Sequence, residues 1–155
     1  MSDYPRVGVG VLIFNHKGEM LLGKRKNAHG NALWGNPGGH LEFGESLEDC
    51  AKREVLEETS FKISSPSFVA VTNDVFKKEG KHYISIFMKV VITENQTVQN
   101  LEPHKTEEWK WFSLDRLPSP LFPPLKQLFA GKTYGLKQQM LIAENIETSE
   151  PSAFQ

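Results

Sequence analysis

Between Gly38 and Phe61 the chain reads GGHLEFGESLEDCAKREVLEETSF, and this stretch places acids on the side of a helix that a globular protein normally buries. A helix can begin at Ser46, whose hydroxyl caps the first turn, with Asp49 three residues on completing a capping box. At about 100° per residue, Leu47, Cys50, Ala51 and Val55 then gather on one side. Glu54 and Glu58 fall within that same arc, Glu57 lies at its edge, and Lys52 and Leu56 point elsewhere. Carboxylates three and four residues apart are surface neighbours and repel one another. Partly buried, they are costly unless protonated, paired or bound to a cation. Ligands that are all oxygen favour a hard ion, Mg²⁺ or Mn²⁺.

A solvated, glutamate-rich helix face accounts for these acids equally well when they are taken alone. Two neighbours favour a site: Arg53 adjoins the cluster, and Asn36-Pro37-Gly38-Gly39, read as a turn, lies just before the helix. Glycines let backbone approach a ligand closely, and glycine turns and helix starts present N–H groups to phosphate. Metal-binding carboxylates beside such a turn describe a site for a metal-bound polyphosphate.

At 155 residues the chain is expected to form one domain with a single core, its body running from about residue 6 to 131. With 39% hydrophobic and 24% charged residues the composition is that of a soluble globular protein. A net charge of −1 supplies no basic field for a nucleic acid polymer. The single cysteine, Cys50, excludes an internal disulfide and reads as core packing, and with no apolar run of membrane-spanning length a cytoplasmic location is expected.

Val7–Phe14 reads as a buried strand, Asn15–Gly18 as a turn and Glu19–Arg25 as the returning strand. Lys26–Asn31 reads as a loop before a short strand near Trp34. Phe68–Phe76 and His82–Ile92 form a hairpin across Lys-Lys-Glu-Gly, and Trp109–Phe112 is a further strand. Leu125–Ala130 gives one or two helical turns ending near Gly131, and the polar tail after about residue 143 is expected to fray. Strands, a helix, more strands and a last helix predict an α/β fold with a mixed sheet between helices. Arg25 can reach phosphate or be an ordinary surface residue, and His40 can donate to a phosphate oxygen or be a plain loop residue. Trp34, Trp109 and Trp111 read as core rather than as base-stacking platforms.

The spacing Gly39, five residues, Glu45, seven residues, then Arg53-Glu54-Val55-Leu56-Glu57-Glu58-Thr59-Ser60-Phe61 resembles the signature box of the Nudix hydrolases. Ser60 stands where that pattern has the glycine that ends the helix. The resemblance implies an α/β/α sandwich and metal-dependent hydrolysis of a nucleoside diphosphate linked to another group. It implies Glu54 and Glu58 as principal metal ligands, Glu57 as a further ligand and the Gly38 carbonyl as another oxygen. It implies Arg53 and Glu45 as buttresses, and a general base that is Glu57 or an acid outside the box such as Glu107. Within the family, LLGKRK, PGGHLEFGE, HYISIFMK, EEWKW and PLKQLFAG are similar to the vertebrate-type diphosphatases of guanine and thioguanine nucleoside triphosphates. That likeness implies a nucleotide substrate cut to monophosphate and pyrophosphate, a homodimer, and Asn36, Ser85 and Gly131 near the base. Asn36 and Ser85 replace the leucine and threonine of that group. Two other readings stand beside it: a hydrolase of a sugar-linked diphosphate such as ADP-ribose, and a non-catalytic nucleotide-binding module.

Overall fold

Strand parity organises the molecule. The computed structural model describes residues 3–26, 32–93 and 95–135. The loop expected over Lys26–Asn31 lies, beyond Lys26, outside the described residues, as does the polar tail. The elements run β1 (Arg6–Phe14), β2 (Met20–Arg25), β3 (Leu33–Gly35), β4 (Gly38–His40), α1 (Leu47–Thr59), β5 (Ser67–Phe76), β6 (Lys81–Val91), β7 (Thr106–Phe112), α2 (Pro123–Phe129) and β8 (Tyr134–Gly135).

All eight strands join one sheet in the order β3-β2-β1-β6-β5-β8, with β4 also pairing β1 and β7 pairing β2. The β1–β6 pair is parallel and the other pairs are antiparallel, so the sheet is mixed as expected. Side chains alternate between the faces of a strand. Val9, Val11 and Ile13 of β1 therefore pack with Cys50, Ala51 and Val55 of α1. Leu12 and Phe14 point the other way and pack with Leu125 and Leu128 of α2. One helix covers each face, which is the expected α/β sandwich.

Gly8 and Gly10 share the parity of Leu12 and Phe14 but carry no side chain. The α2 face of the sheet is therefore left open at that end, and a cleft of about 500 Å³ forms there. Tyr83, Ser85 and Phe87 of β6 line the same opening. A Cβ on Gly10 would lie 2.6 Å from Asn36 Nδ2, so a larger residue there would push the Asn36 amide aside.

Two short strands depart from expectation. Gly38 and Gly39 are not a turn; they pair with β1 through Gly10↔Gly38, Val9↔Gly39 and Gly8↔His40. A glycine pair carries no strand signal of its own, yet backbone this close to Val9 admits nothing larger: a Cβ on Gly38 would lie 2.4 Å from the Val9 carbonyl oxygen. The second, β8, is too short to show as a hydrophobic run. Trp34 packs on the α2 side, and Trp109 and Trp111 on the α1 side, as core residues.

Helix α1 starts and stops near the expected positions. The Ser46 hydroxyl accepts from Asp49 N–H at 3.0 Å. At the other end Ser60 sits in the left-handed region, with φ 71, and its N–H donates to the Leu56 carbonyl. Glycine adopts that conformation without the Cβ penalty. Ser60→Gly is therefore expected to stabilise the fold by about 0.5–1 kcal/mol, read as a higher midpoint in chemical denaturation. A lower midpoint would show that the Ser60 side chain contributes more than the strain it carries.

Candidate active site

Four acids and one arginine organise the exposed end of α1. Arg53 donates twice to Glu45, from Nε to Oε2 at 2.7 Å and from Nη2 to Oε1 at 3.0 Å. It also donates to Glu54 Oε2 at 2.8 Å and to the His40 carbonyl at 3.1 Å, and reaches Glu57 Oε1 at 3.4 Å. Guanidinium geometry suits this fork of partners. The Glu45 carboxyl, held by Arg53 and by the Glu42 N–H, is drawn down to about 2. Arg53 is shifted upward in return.

Glu54 and Glu58 behave oppositely. Burial raises the pKa of Glu54 against the pull of Arg53, and Glu57 and Glu102 add repulsion. Burial pushes Glu58 up to about 8, helped by Glu54 and Glu102 and opposed by the Gly38 N–H and Arg25. The Gly38 N–H donates to Glu58 Oε1 at 2.8 Å, so this amide holds a carboxylate and is not offered to phosphate. Gly39 lies flat against the other acid, since a Cβ there would sit 2.2 Å from Glu54 Cδ. Each of the two glutamates thus has one oxygen fixed by the protein.

Among the described residues no three His, Cys, Asp or Glu side chains are gathered tightly enough to hold an ion by themselves. The donor set nonetheless fits a hard cation. It is all oxygen, burial and then the neighbouring acids raise the pKa of Glu54 and of Glu58, and Mg²⁺ is commonly bound by one or two carboxylates together with substrate phosphates. Glu57 is half exposed, at 51%, and stands at the rim of the cluster.

An acid outside the signature segment, Glu102, faces this cluster. Glu107 is 53% exposed and pairs with Lys24 at 3.3 Å. Glu102 sits in a loop tied to the helix end by the Leu101 N–H donating to the Glu58 carbonyl, and its charge is felt by both Glu54 and Glu58. Sequence reading had no signal for it, because the contact is made by an irregular loop.

Arg25 enters the cleft from the end of β2. Its guanidinium carbon stacks 4.2 Å above the centre of the Phe122 ring, and Glu58 lies close enough to favour its charge. Burial lowers its pKa from the ordinary value, a shift that leaves a guanidinium charged. Phe122 was not singled out in the sequence. It is placed by the segment Pro118–Pro124, which holds four prolines and docks on β3 through Trp34 N–H to the Pro120 carbonyl and Phe122 N–H to the Trp34 carbonyl.

His40 has partners at both ring nitrogens: Arg6 Nη2 lies 3.4 Å from Nδ1, and the Tyr83 hydroxyl 3.2 Å from Nε2. Its ring lies parallel to that of Tyr83, with centroids 5.6 Å apart. Burial, with Arg6, Lys105 and Lys81 nearby, lowers its pKa. Asn36 and Ser85 line the cleft with Gly38, Gly39 and His40, whereas Gly131, which follows α2, is not among the lining residues. Cys50 is buried and its thiol is pushed up to about 12, so it is core and no nucleophile.

The fold thus sets an acidic helix against a glycine strand beside an open cleft. The family model of the NUDIX domain matches residues 4–131, and the chain belongs to the NUDIX family of hydrolases. It is 31% identical over 120 residues to a putative 8-oxo-dGTP diphosphatase of Bacillus subtilis, covering 77% of this chain and 74% of that protein. It is 28% identical over 119 residues to the NAD-capped RNA hydrolase NudC of Stutzerimonas stutzeri, again over 77% of this chain but only 41% of that relative's length. A crystal structure of a MutT NUDIX hydrolase from Burkholderia pseudomallei superposes with a TM-score of 0.71 at 32% identity, covering 77% of this chain and 91% of that one. No helix among the described residues is long and apolar enough to cross a membrane.

Proposed function

We propose that this chain is a Mg²⁺-dependent nucleotide pyrophosphohydrolase that converts (deoxy)nucleoside triphosphates to monophosphate and pyrophosphate. The observation that carries the reading is the placement of Glu54 and Glu58, each with one oxygen held by the protein, against Gly38 and Gly39, which with Arg25 line a cleft large enough for a nucleoside. Glu54, Glu58 and Glu57, with the Gly38 carbonyl, are the groups that would hold the cation, and Mn²⁺ suits the same oxygens. When bound, such an ion supplies Lewis acidity at phosphorus and lowers the pKa of a water.

The protein's own residues do the rest. Arg25, buttressed by Phe122, sets a fixed positive charge against the phosphate chain. Arg53 and Glu45 keep Glu54 oriented, and the Gly38 N–H keeps Glu58 oriented. Glu57 at the rim, or Glu102 across the cluster, accepts the proton of the attacking water. The cleft walls of Tyr83, Phe87 and Phe122 offer apolar surface to a base, and Asn36 and Ser85 offer it polar contacts. The sequence likeness noted above supports a nucleoside triphosphate as substrate and a homodimer as the assembly.

The test is a product analysis with Mg²⁺ over a panel of nucleoside triphosphates, ADP-ribose, NAD and RNA with a 5′-triphosphate. Pyrophosphate released from free triphosphates is the expected result. AMP with ribose phosphate from ADP-ribose, or selective action on the RNA, would replace the proposed substrate class, and no turnover at all would leave a binding module. Light scattering on a sizing column checks the homodimer, with twice the chain mass expected. Gly39→Ala is expected to lower turnover about tenfold while the fold persists, because its methyl group would displace the Glu54 carboxylate. Unchanged turnover would mean that Glu54 moves aside at no cost and has no fixed place in the reaction.

A further inference from the structure

Away from the acidic cluster, α2 covers a second carboxylate. Asp74, on β5, is 2% exposed, and among the described residues no other Asp or Glu is buried so deeply. Strand pairing puts it there: Thr72 lies opposite Ser85 and Asp74 opposite Tyr83, so all four share the face that carries the cleft. Three donors meet its two oxygens. The Thr72 hydroxyl reaches Oδ2 at 2.9 Å and the Ser85 hydroxyl reaches the same atom at 2.6 Å. Gln127 Nε2, from α2, donates to Oδ1.

The chemistry of the partners gives these bonds a direction. An ionised carboxylate only accepts, and the amide nitrogen of Gln127 only donates. The Thr72 and Ser85 hydroxyls can each donate or accept, and against a carboxylate, which only accepts, both donate. The single hydroxyl proton of Ser85 therefore points inward to Asp74. What Ser85 turns toward the cleft, which it lines, is a pair of oxygen lone pairs, strengthened as an acceptor by the charge behind them.

We propose that Asp74 is a positioning residue that sets the hydrogen-bonding sense of the cleft. By taking the Ser85 proton it makes Ser85 an acceptor only, so the site selects nucleobases that present an N–H donor, above all an exocyclic amine, over bases lacking one there. The inference rests on the nucleotide reading of the cleft and goes beyond it, since it assigns the polarity of base selection to a residue that does not touch the base.

The experiment compares kcat/KM for nucleotide pairs that differ by one amine: GTP against ITP, and ATP against purine riboside triphosphate. In the wild-type protein, removal of the amine in at least one pair is expected to lower kcat/KM about tenfold or more, chiefly through KM. Ser85→Ala is expected to bring that ratio to within about twofold of unity. Asp74→Asn should do more. Gln127 keeps the amide oxygen on its side, so the new NH₂ faces Ser85, whose proton is then released toward the cleft. Ser85 becomes a donor, and the ratio is expected to invert.

Wild-type ratios within twofold for both pairs, or a ratio that Ser85→Ala leaves unchanged, would overturn the proposal. So would a well-folded Asp74→Asn protein with the wild-type ratio. If circular dichroism shows Asp74→Asn unfolded, the wild-type and Ser85→Ala ratios still decide. Turnover with flat ratios defeats this inference alone, whereas a wild-type protein that turns over no nucleotide defeats the nucleotide reading and this inference with it.

Discussion

Glu58→Gln is expected to lower turnover by about three orders of magnitude and at the same time to make the protein more stable at neutral pH. Both effects have one cause. Glutamine keeps the shape of the side chain and an oxygen for the Gly38 N–H, but it removes the charge that would bind a cation. That charge is held at a cost, since burial and the neighbouring acids push Glu58 up to about 8, from an ordinary value of 4.5. Between those two values the folded protein binds a proton that the unfolded chain has released. Wild-type stability therefore falls as pH rises from about 4.5 to about 8, and the neutral variant does not share that fall. At pH 7.5 the variant should be more stable by about 1–3 kcal/mol, a gain that disappears below pH 5. Denaturation midpoints of the two proteins across pH 4.5–8.5 measure it. A variant less stable than wild type at pH 7.5, with normal turnover per folded molecule, would make Glu58 a structural residue.

Arg53→Ala is expected to lower turnover about 10- to 100-fold and stability by about 1–2 kcal/mol. The loss of rate follows from Glu54, which loses the donor to its Oε2 while Glu57 and Glu102 still repel it. The stability loss is modest because solvent reaches part of the network, although Glu45 and Glu54 both keep little exposed surface. Arg53→Lys should recover only a fraction of the rate, because one ammonium cannot serve Glu45, Glu54 and the His40 carbonyl together. Full activity in Arg53→Lys would show that only the charge matters there and not the fork of hydrogen bonds.

Local chemistry explains which parts of this molecule were legible in its sequence. Ser46 announces α1 because a cap is a property of neighbouring residues, and the arc of Cys50, Ala51 and Val55 announces the buried face because helical periodicity is local too. The strands β1, β2, β5 and β6 show as apolar or β-branched runs near their observed bounds. The short strand β4 does not, because Gly38 and Gly39 pair with β1 only once the sheet exists to receive them. Glu102 and Phe122 were invisible for the same reason: each reaches the site through a tertiary contact of an irregular segment. Asp74 left a trace that alternation could have exposed. In the run VAVTNDVF, Ala70, Thr72 and Asp74 share one face, and a carboxylate on a face that a helix must cover asks for partners. Ser60, by contrast, stood out from the sequence as the residue in place of a helix-ending glycine, and it carries the left-handed backbone that glycine would.

The claim on which the mechanism depends is that Glu54 and Glu58 share a divalent cation with the phosphates of the substrate. It is tested most directly by titrating the protein with Mn²⁺, a paramagnetic stand-in for Mg²⁺, in the presence of a non-hydrolysable nucleoside triphosphate, while following the relaxation of water protons. The wild-type protein should show saturable enhancement that Glu58→Gln loses. Equal Mn²⁺ affinity in the two proteins, each folded and each binding the nucleotide, would contradict the account.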